Sequence, residues 1–277
     1  MIGFLVAAAV AAATPAAAPA VQPPAPAAVP QAEPAVFVVR DADTTVYLFG
    51  TFHALDANAE WFHDQVRGAF ESSDELVLET LIPEGRPKPG TPGAAAAQPL
   101  RMPVATSASF LATTRMAINA GKSQGMQVGN GADMVLRRIA EAEGKPVEGL
   151  ETLESQLNMF NRLPSAGPPR TAHAGDPVGG NASSMASLSK SMAEMQAAWK
   201  RGDQSVFVRM LGQIERASPD TYRMMFTERN AHFAQWITER MKQPGIIFVA
   251  IGAGHLAGKD SVLVRLAERG IESQRIN

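Results

Sequence analysis

Val46-Tyr47-Leu48-Phe49-Gly50-Thr51-Phe52-His53-Ala54-Leu55-Asp56 is the stretch whose reading decides the fold. Val46 to Phe49 is an apolar run of the length of a short buried strand; it meets Gly50, and three residues on stands His53. In an open α/β sheet the ligand crevice lies outside the carboxyl ends of the strands, so a titratable side chain delivered there faces a cleft. The pattern recurs near the other end, where the apolar run Ile246 to Ile251 opens into Gly252-Ala253-Gly254-His255. With 23 glycines and five histidines in the chain, the G-x-x-H spacing alone is a weak signal. What strengthens it is the strand-like run before each of the two glycines, which His63, His173 and His232 lack.

Working outward, Val36 to Arg40, an aspartate-rich turn at Asp41 to Thr44, and Thr45 to Phe49 read as a hairpin. Asn58 to Ser72 carries Trp61, Phe62, Val66, Ala69 and Phe70 at helical spacing, and Glu75 to Glu79 is the next strand. Strand, helix and strand in that order predict a right-handed βαβ crossover, which places Glu79 at the carboxyl end near His53. Pro83 to Pro103 is a Pro/Gly/Ala loop insertion, and Ser109 to Ala120 has helical character. Ala132 to Glu143 is a helix ending at Gly144-Lys145-Pro146, a cap glycine followed by proline. Pro146 to Leu150 is a strand, and Thr152 is the N-cap of a helix running to about Arg162. A second insertion spans Pro164 to Ser184. Met185 to Trp199, Gln204 to Arg216 and Thr221 to Met241 form a helical block, followed by the strand Ile246 to Ile251, a helix Ser261 to Arg269 and a final strand Ile271 to Arg275. The fold class is therefore α/β: a mixed central sheet flanked by helices, with an inserted helical block.

The 277 residues suit one domain with a tail. An apolar block from Ile2 to Ala13, with A-x-A tripeptides such as Ala11-Ala12-Ala13, fits a signal peptide, although no Lys or Arg precedes it. Val21 to Pro34 follows as a Pro/Ala-rich tether, so the division is 1–35 for the exported tail and 36–277 for the domain. The expected location is periplasmic or secreted. The rival is membrane proximity through an uncleaved N-terminal anchor, disfavoured because the block is shorter than the ~20 residues a span needs. Cysteine is absent, which excludes disulfides, thiolate nucleophiles and thiolate metal sites. Any metal must be held by histidine and carboxylate. With 25 basic and 27 acidic residues and a net charge of −2, the chain has no nucleic-acid footprint.

Each chemically interesting residue also has a bland reading. His53 and His255 are either cleft residues or turn histidines bonded to backbone, and Glu79 is either a site carboxylate or a solvated strand-end charge, as Glu75 is on the opposite rim. Gly252-Ala253-Gly254 before His255 could cradle phosphate at a helix start, but lacks the G-x-G-x-x-G completion and the P-loop lysine and hydroxyl pair. Arg229-Asn230 offers a bidentate fork and an amide to a carboxylate or an oxyanion, or else lies on a solvated helix face. Met192, Met195 and Trp199, spaced three and four apart, read as core or groove lining. His232 reads as surface or packing.

Y-L-F-G-T-F-H at 47–53, E-L-V-L-E-T at 75–80, G-K-P-V-E-G-L-E-T-L-E-S-Q at 144–156, E-R-N at 228–230 and A-I-G-A-G-H-L-A-G at 250–258 together resemble the TraB/GumN family, which includes the PrgY and Tiki proteins. The resemblance runs from about Thr45 to Arg275 with the motifs in the family's order. It implies a metal-dependent protease or hydrolase on a fold similar to the ChaN haem-binding and erythromycin-esterase proteins. Carried over by motif, the implied site is His53, Glu79 and His255 around a divalent metal of the Mn, Co or Zn type, with Glu151, Arg229 and Asn230 as further catalytic residues. The insertions at 83–103 and 164–184 are not family motifs. Three functions follow as expectations. The first is an exported metallohydrolase acting on a peptide or protein, with Glu151 as general base. The second is a peptide- or haem-binding protein without turnover, and the third a metal-free esterase using one histidine as base.

Overall fold

The computed structural model describes residues 32–81, 116, 118–162 and 180–277. The signal and tether segment up to residue 31, the insertion at 83–103, most of the 109–120 helix, and residues 163–179 with His173 lie outside the described residues.

Two β-branched runs make the first hairpin: Val36–Arg40 (β1) and Thr44–Thr51 (β2) pair antiparallel, from Val36 opposite Phe49 to Arg40 opposite Thr45. Asp41 Oδ1 accepts from the backbone N–H groups of Thr44 (2.9 Å) and Asp43 (3.2 Å), the local hydrogen bonding that favours aspartate in turns. With Glu75–Leu81 (β3), Val147–Thr152 (β4), Gly245–Gly252 (β5) and Gln274–Arg275 (β6), the sheet has the order β4-β3-β5-β2-β1-β6. β2, β5, β3 and β4 run parallel, whereas β1 is antiparallel to both its neighbours. The sheet is therefore mixed. β5 is buried without interruption from Ile247 to Ile251, as a parallel strand covered on both faces requires.

Helices cover both faces. On one, Val66 and Phe70 of Asp64–Glu71 (α1) and Leu136 and Ala140 of Ala132–Glu143 (α2) join a core with Phe49, Leu76 and Phe248. The helices Leu153–Arg162 (α3), Gly180–Lys200 (α4), Ser205–Ala217 (α5) and Pro219–Tyr222 (α6) come next in the chain, and Trp199, Phe207 and Leu211 extend the same core. On the opposite face Phe233 and Ile237 of Glu228–Arg240 (α7) and Val262 and Leu266 of Val262–Ala267 (α8) pack on Leu48, Val77 and Val249. Phe49, Phe70 and Phe248 are fully buried, each stabilising the fold by about 1.5–3 kcal/mol relative to exposure. Phe49 stacks on Trp61 with ring centroids 5.4 Å apart and meets Trp199 edge-on at 6.2 Å. Trp199 of the methionine stripe is thus core.

Caps follow local chemistry. α2 ends where Gly144 takes the left-handed conformation at φ 71°, and the Ser155 N–H donates to Thr152 Oγ1 at 3.1 Å at the start of α3.

The structure departs from expectation in five places. The Asn58–Ser72 helix shortens to α1, because the Asn58 N–H donates to Asp56 Oδ1 (3.0 Å) in a turn and Trp61 is drawn into the core. The helix expected over Met185–Trp199 begins earlier, at Gly180, within the stretch expected as the second insertion. Thr221–Met241 is not one regular helix; a π-helical turn, Arg223–Thr227, joins α6 to α7. The last strand shrinks to Gln274–Arg275, which pairs with two residues of β1. Glu75 is not a free rim charge: Arg240 Nε donates to its Oε1 at 2.7 Å. Among the described residues no helix is long and apolar enough to cross a membrane.

Candidate active site

β2 and β5 are direct neighbours, in register from Thr44 opposite Gly245 to Thr51 opposite Gly252, so the two G-x-x-H segments leave the sheet side by side. Their leading glycines serve different ends. A Cβ on Gly50 would meet the Ala253 Cα at 3.1 Å, so Gly50 is what lets the turn carrying His255 pack against β2. A Cβ on Gly252 would stand 3.1 Å from Glu79 Oε2, 3.5 Å from His53 Nε2 and 3.6 Å from His255 Cδ2. The missing side chain of Gly252 keeps open a space that all three groups face. β3, on the far side of β5, supplies Glu79, and the Gly252 N–H donates to its Oε2 at 2.8 Å.

His53 leaves β2 within a loop held on two sides. Trp199 Nε1 donates to the Gly50 carbonyl (2.6 Å), and the first amide of α2, on Ala132, donates to the Phe52 carbonyl (3.0 Å). That docking brings Asp133, in the first turn of α2, to 3.3 Å from His53 Nδ1. Asp133 Oδ1 is otherwise buried without a hydrogen-bond partner, so the imidazole is the group it serves. Crowding by protein works against a charge on His53, but the pull of Asp133, with Glu79 beyond, outweighs it and raises the pKa to about 9. The ring sits deep in the site yet keeps 60% of its side-chain surface open, so solvent moderates that pull.

His255 is 4% exposed and lies between the rings of Phe226 and Phe233, each centred 5.3 Å away. Its Nδ1 is 2.6 Å from Asn230 Oδ1, while Asn230 Nδ2 donates to the Asp260 carbonyl at 2.7 Å. Because that amide nitrogen faces a carbonyl, Asn230 Oδ1 is the acceptor and His255 Nδ1 carries the proton. Nε2 then holds a lone pair, which receives Arg229 Nη1 at 3.1 Å.

Arg229 is 8% exposed, and every one of its N–H groups is used. Nε donates to both oxygens of Glu151 (2.9 and 3.1 Å), and Nη2 to Glu151 Oε2 (2.7 Å) and Glu79 Oε1 (2.6 Å). Nη1 donates to the Met225 carbonyl (3.3 Å) in the π turn and to His255 Nε2. Burial disfavours its charge, but Glu151 and Glu79 keep it cationic. Burial equally resists ionisation of Glu79, but the cationic groups around it, the Arg229 guanidinium on its Oε1 among them, hold its carboxyl well below the usual carboxylate range.

Of the six residues singled out in the sequence, Glu79, Glu151, Arg229, Asn230 and His255 lie in one hydrogen-bonded network, and His53, paired with Asp133, faces it across the space over Gly252. Arg229 and Asn230 are not on a solvated face. His53, Glu79 and His255 do not form a closed ligand set: among the described residues no three histidine or carboxylate groups stand ready around a single ion, and Arg229 bridges His255 and Glu79. Asp133 and Asp260 were not singled out. Asp133 carried one available signal, an acidic residue in the first turn of a helix that begins at the carboxyl edge. A cleft of about 410 Å³, lined by Gln156, Met159, Arg162, Met224, Glu228 and His232, opens beside Glu151 and Arg229.

Two adjacent parallel strands that each end in G-x-x-H, with a glutamate from a third strand reaching the glycine of one of them, define an α/β protein whose two G-x-x-H histidines lie at the carboxyl edge of a mixed sheet. The profile of the TraB/PrgY/gumN family matches residues 35–107 and 93–275, and the chain belongs to that family. No curated protein and no solved structure matched the chain.

Proposed function

We propose that this chain is a metal-dependent hydrolase with peptides as its substrate class, binding a divalent cation of the Mn, Co or Zn type through His53, Glu79 and His255. The observation that supports the reading is the setting of the two imidazoles. Each turns Nδ1 toward an oxygen, Asp133 Oδ1 or Asn230 Oδ1; His53 Nε2 then faces the space over Gly252, and His255 Nε2, which accepts from Arg229 Nη1, lies 3.7 Å from Glu79 Oε2. Histidine ligands are oriented by acceptors on their second nitrogen in this way. Charge points the same way, since the three carboxylates of Glu79, Glu151 and Asp133 outnumber the positive groups among them, the Arg229 guanidinium and His53, whose pKa is raised to about 9. Nitrogen and carboxylate donors without thiolate suit these cations.

A divalent cation bound there would supply a water of lowered pKa and polarise a scissile carbonyl. The chain's own residues do the rest. Asp133 and Asn230 fix the rings, and Gly252 leaves room for the reacting group. The cleft beside Arg229 gives space for a substrate chain. Glu151, expected as general base, accepts from Arg229 through both oxygens, so we assign it first to holding the guanidinium. Export through the segment 1–35 to the periplasm or beyond belongs to the same proposal.

The test uses chelator-treated protein reloaded with Mn, Co or Zn, assayed for bound metal and for cleavage of a broad peptide and ester panel. H53A, E79A and H255A should each lose metal and hydrolysis together while circular dichroism stays native. The double variant H53A/H255A should be no worse than either single, because one missing ligand already breaks the site. Full metal occupancy and activity in H255A, with both lost in H53A, would defeat the shared site and favour the metal-free esterase.

A further inference from the structure

Arg229 has no N–H left for a substrate, and two of its contacts are to groups that the cation reading needs. Nη1 occupies the lone pair of His255 Nε2 at 3.1 Å, and Nη2 sits on Glu79 Oε1 at 2.6 Å. Nε, by contrast, faces only Glu151, and Nη2 divides itself between Glu151 and Glu79. The guanidinium therefore has an anchored side and a side that lies across the candidate site. A lone pair accepts one partner at a time, so a cation on His255 Nε2 requires Nη1 to leave it, and like charges at that distance repel.

We propose that Arg229 competes with a divalent cation for His255, and that binding of the ion requires its Nη1 to leave His255 Nε2 while Nε stays on Glu151. The displaced N–H is then the one donor of Arg229 free to meet an oxyanion or carboxylate of a bound substrate, so binding of the ion and readiness of the arginine are coupled. The π turn suits this exchange: the Met225 carbonyl, 3.3 Å from Nη1, remains as a second acceptor for that nitrogen when His255 is taken. The glutamate pair matters as well. Glu151 holds the guanidinium through both its oxygens, so Arg229 has an anchor to turn on and does not depend on Glu79 for its charge balance.

This inference rests on cation binding at His53, Glu79 and His255, and the experiment separates the two. The full chain is freed of metal and titrated with Co(II), followed by its visible absorption, for wild type, R229Q and R229K. Removing a competitor worth one charge-assisted hydrogen bond should tighten Co(II) binding by about tenfold or more in R229Q. If R229Q fails to fold, R229K decides: a lysine keeps the positive charge but cannot span four partners, so it too should bind Co(II) more tightly than wild type. Guanidinium NMR on wild type with diamagnetic Zn(II) supplies a readout that simple loss of charge would not move. The Arg229 Nη1 resonance should shift on saturation while Nε, held by Glu151, stays in place. Tight Co(II) binding in wild type with unchanged affinity in the folded variant, or an unmoved Nη1 resonance at full Zn(II) occupancy, overturns the displacement alone. Absence of Co(II) and Zn(II) binding in wild type and variants alike overturns it together with the cation reading.

Discussion

Replacing Gly252 by alanine tests whether the space over that residue is the working part of the molecule. The backbone there, at φ −50° and ψ 135°, is open to any residue, so alanine introduces no backbone strain. Reduced freedom of the unfolded chain then favours the variant by about 0.4–1 kcal/mol. Against this, the new methyl lies 3.1 Å from Glu79 Oε2 and must push it aside by a few tenths of an ångström, which the end of a flexible side chain can accommodate. The shift weakens the 2.8 Å bond from the Gly252 N–H to that oxygen. Bonds to charged groups contribute about 1.5–3 kcal/mol, and only a part is lost. The two effects nearly cancel, so urea unfolding should give a stability within about 1 kcal/mol of wild type at an unchanged m-value. Cation affinity and turnover should nonetheless fall by about a hundredfold or more, because the methyl stands where His53 Nε2, His255 and Glu79 face one another. G50A is the control. Its methyl would meet the backbone of Ala253 at 3.1 Å, which cannot step aside, so it should cost about 1–3 kcal/mol as overpacking does. Wild-type cation affinity and turnover in G252A would refute the assignment of this space to the site.

Other outcomes are equally specific. Burial works against ionisation of Asp56, but the hydrogen bond and charge of Lys200 prevail and hold its pKa below the ordinary value. A depressed carboxylate contributes stability above the unfolded pKa of about 3.9 and loses it as pH falls through the folded value, so the stability gap between wild type and D56N should be constant above pH ~5 and close below pH ~4. A gap that persists at pH 2 in urea titrations would refute this. W199F removes the 2.6 Å bond from Trp199 Nε1 to the Gly50 carbonyl and should lower stability by about 1–3 kcal/mol; a loss under ~0.5 kcal/mol would mean that the bond holds nothing in place. N-terminal sequencing of the chain recovered from the periplasm of a Gram-negative host should begin between about Thr14 and Ala35, and intact Met1 in that fraction would count against cleavage.

Local chemistry was legible wherever neighbours in sequence decide the outcome. The amphipathic period of Ala132–Glu143 and its Gly144 cap, the Thr152 cap of α3 and the aspartate turn before β2 match the structure because helices and turns close their hydrogen bonds within a few residues. The same argument misjudged Asn58–Ser72. Trp61 and Phe62 have helical spacing, yet stacking of Trp61 on Phe49 outweighs one added helical turn. Glu79, Arg229 and Asn230 stood out through their motifs, but no local feature distinguished a buried arginine from one on a solvated helix face.

By itself the sequence determined the kinds of element, their order, the absence of thiol chemistry, and the delivery of two histidines from strand ends that finish in glycine. Only the tertiary structure decided that β5 enters between β2 and β3, which makes the two G-x-x-H turns neighbours and carries Glu79 to Gly252. It also decided that Asp133 orients His53, that Asn230 fixes the tautomer of His255, and that all N–H groups of Arg229 are engaged. The physical reason is range. Side-chain period and capping are set within a few residues, whereas ladder partners, burial of charge and the sharing of a lone pair are set by residues as far apart as Glu79 and Gly252, brought together only when the sheet forms.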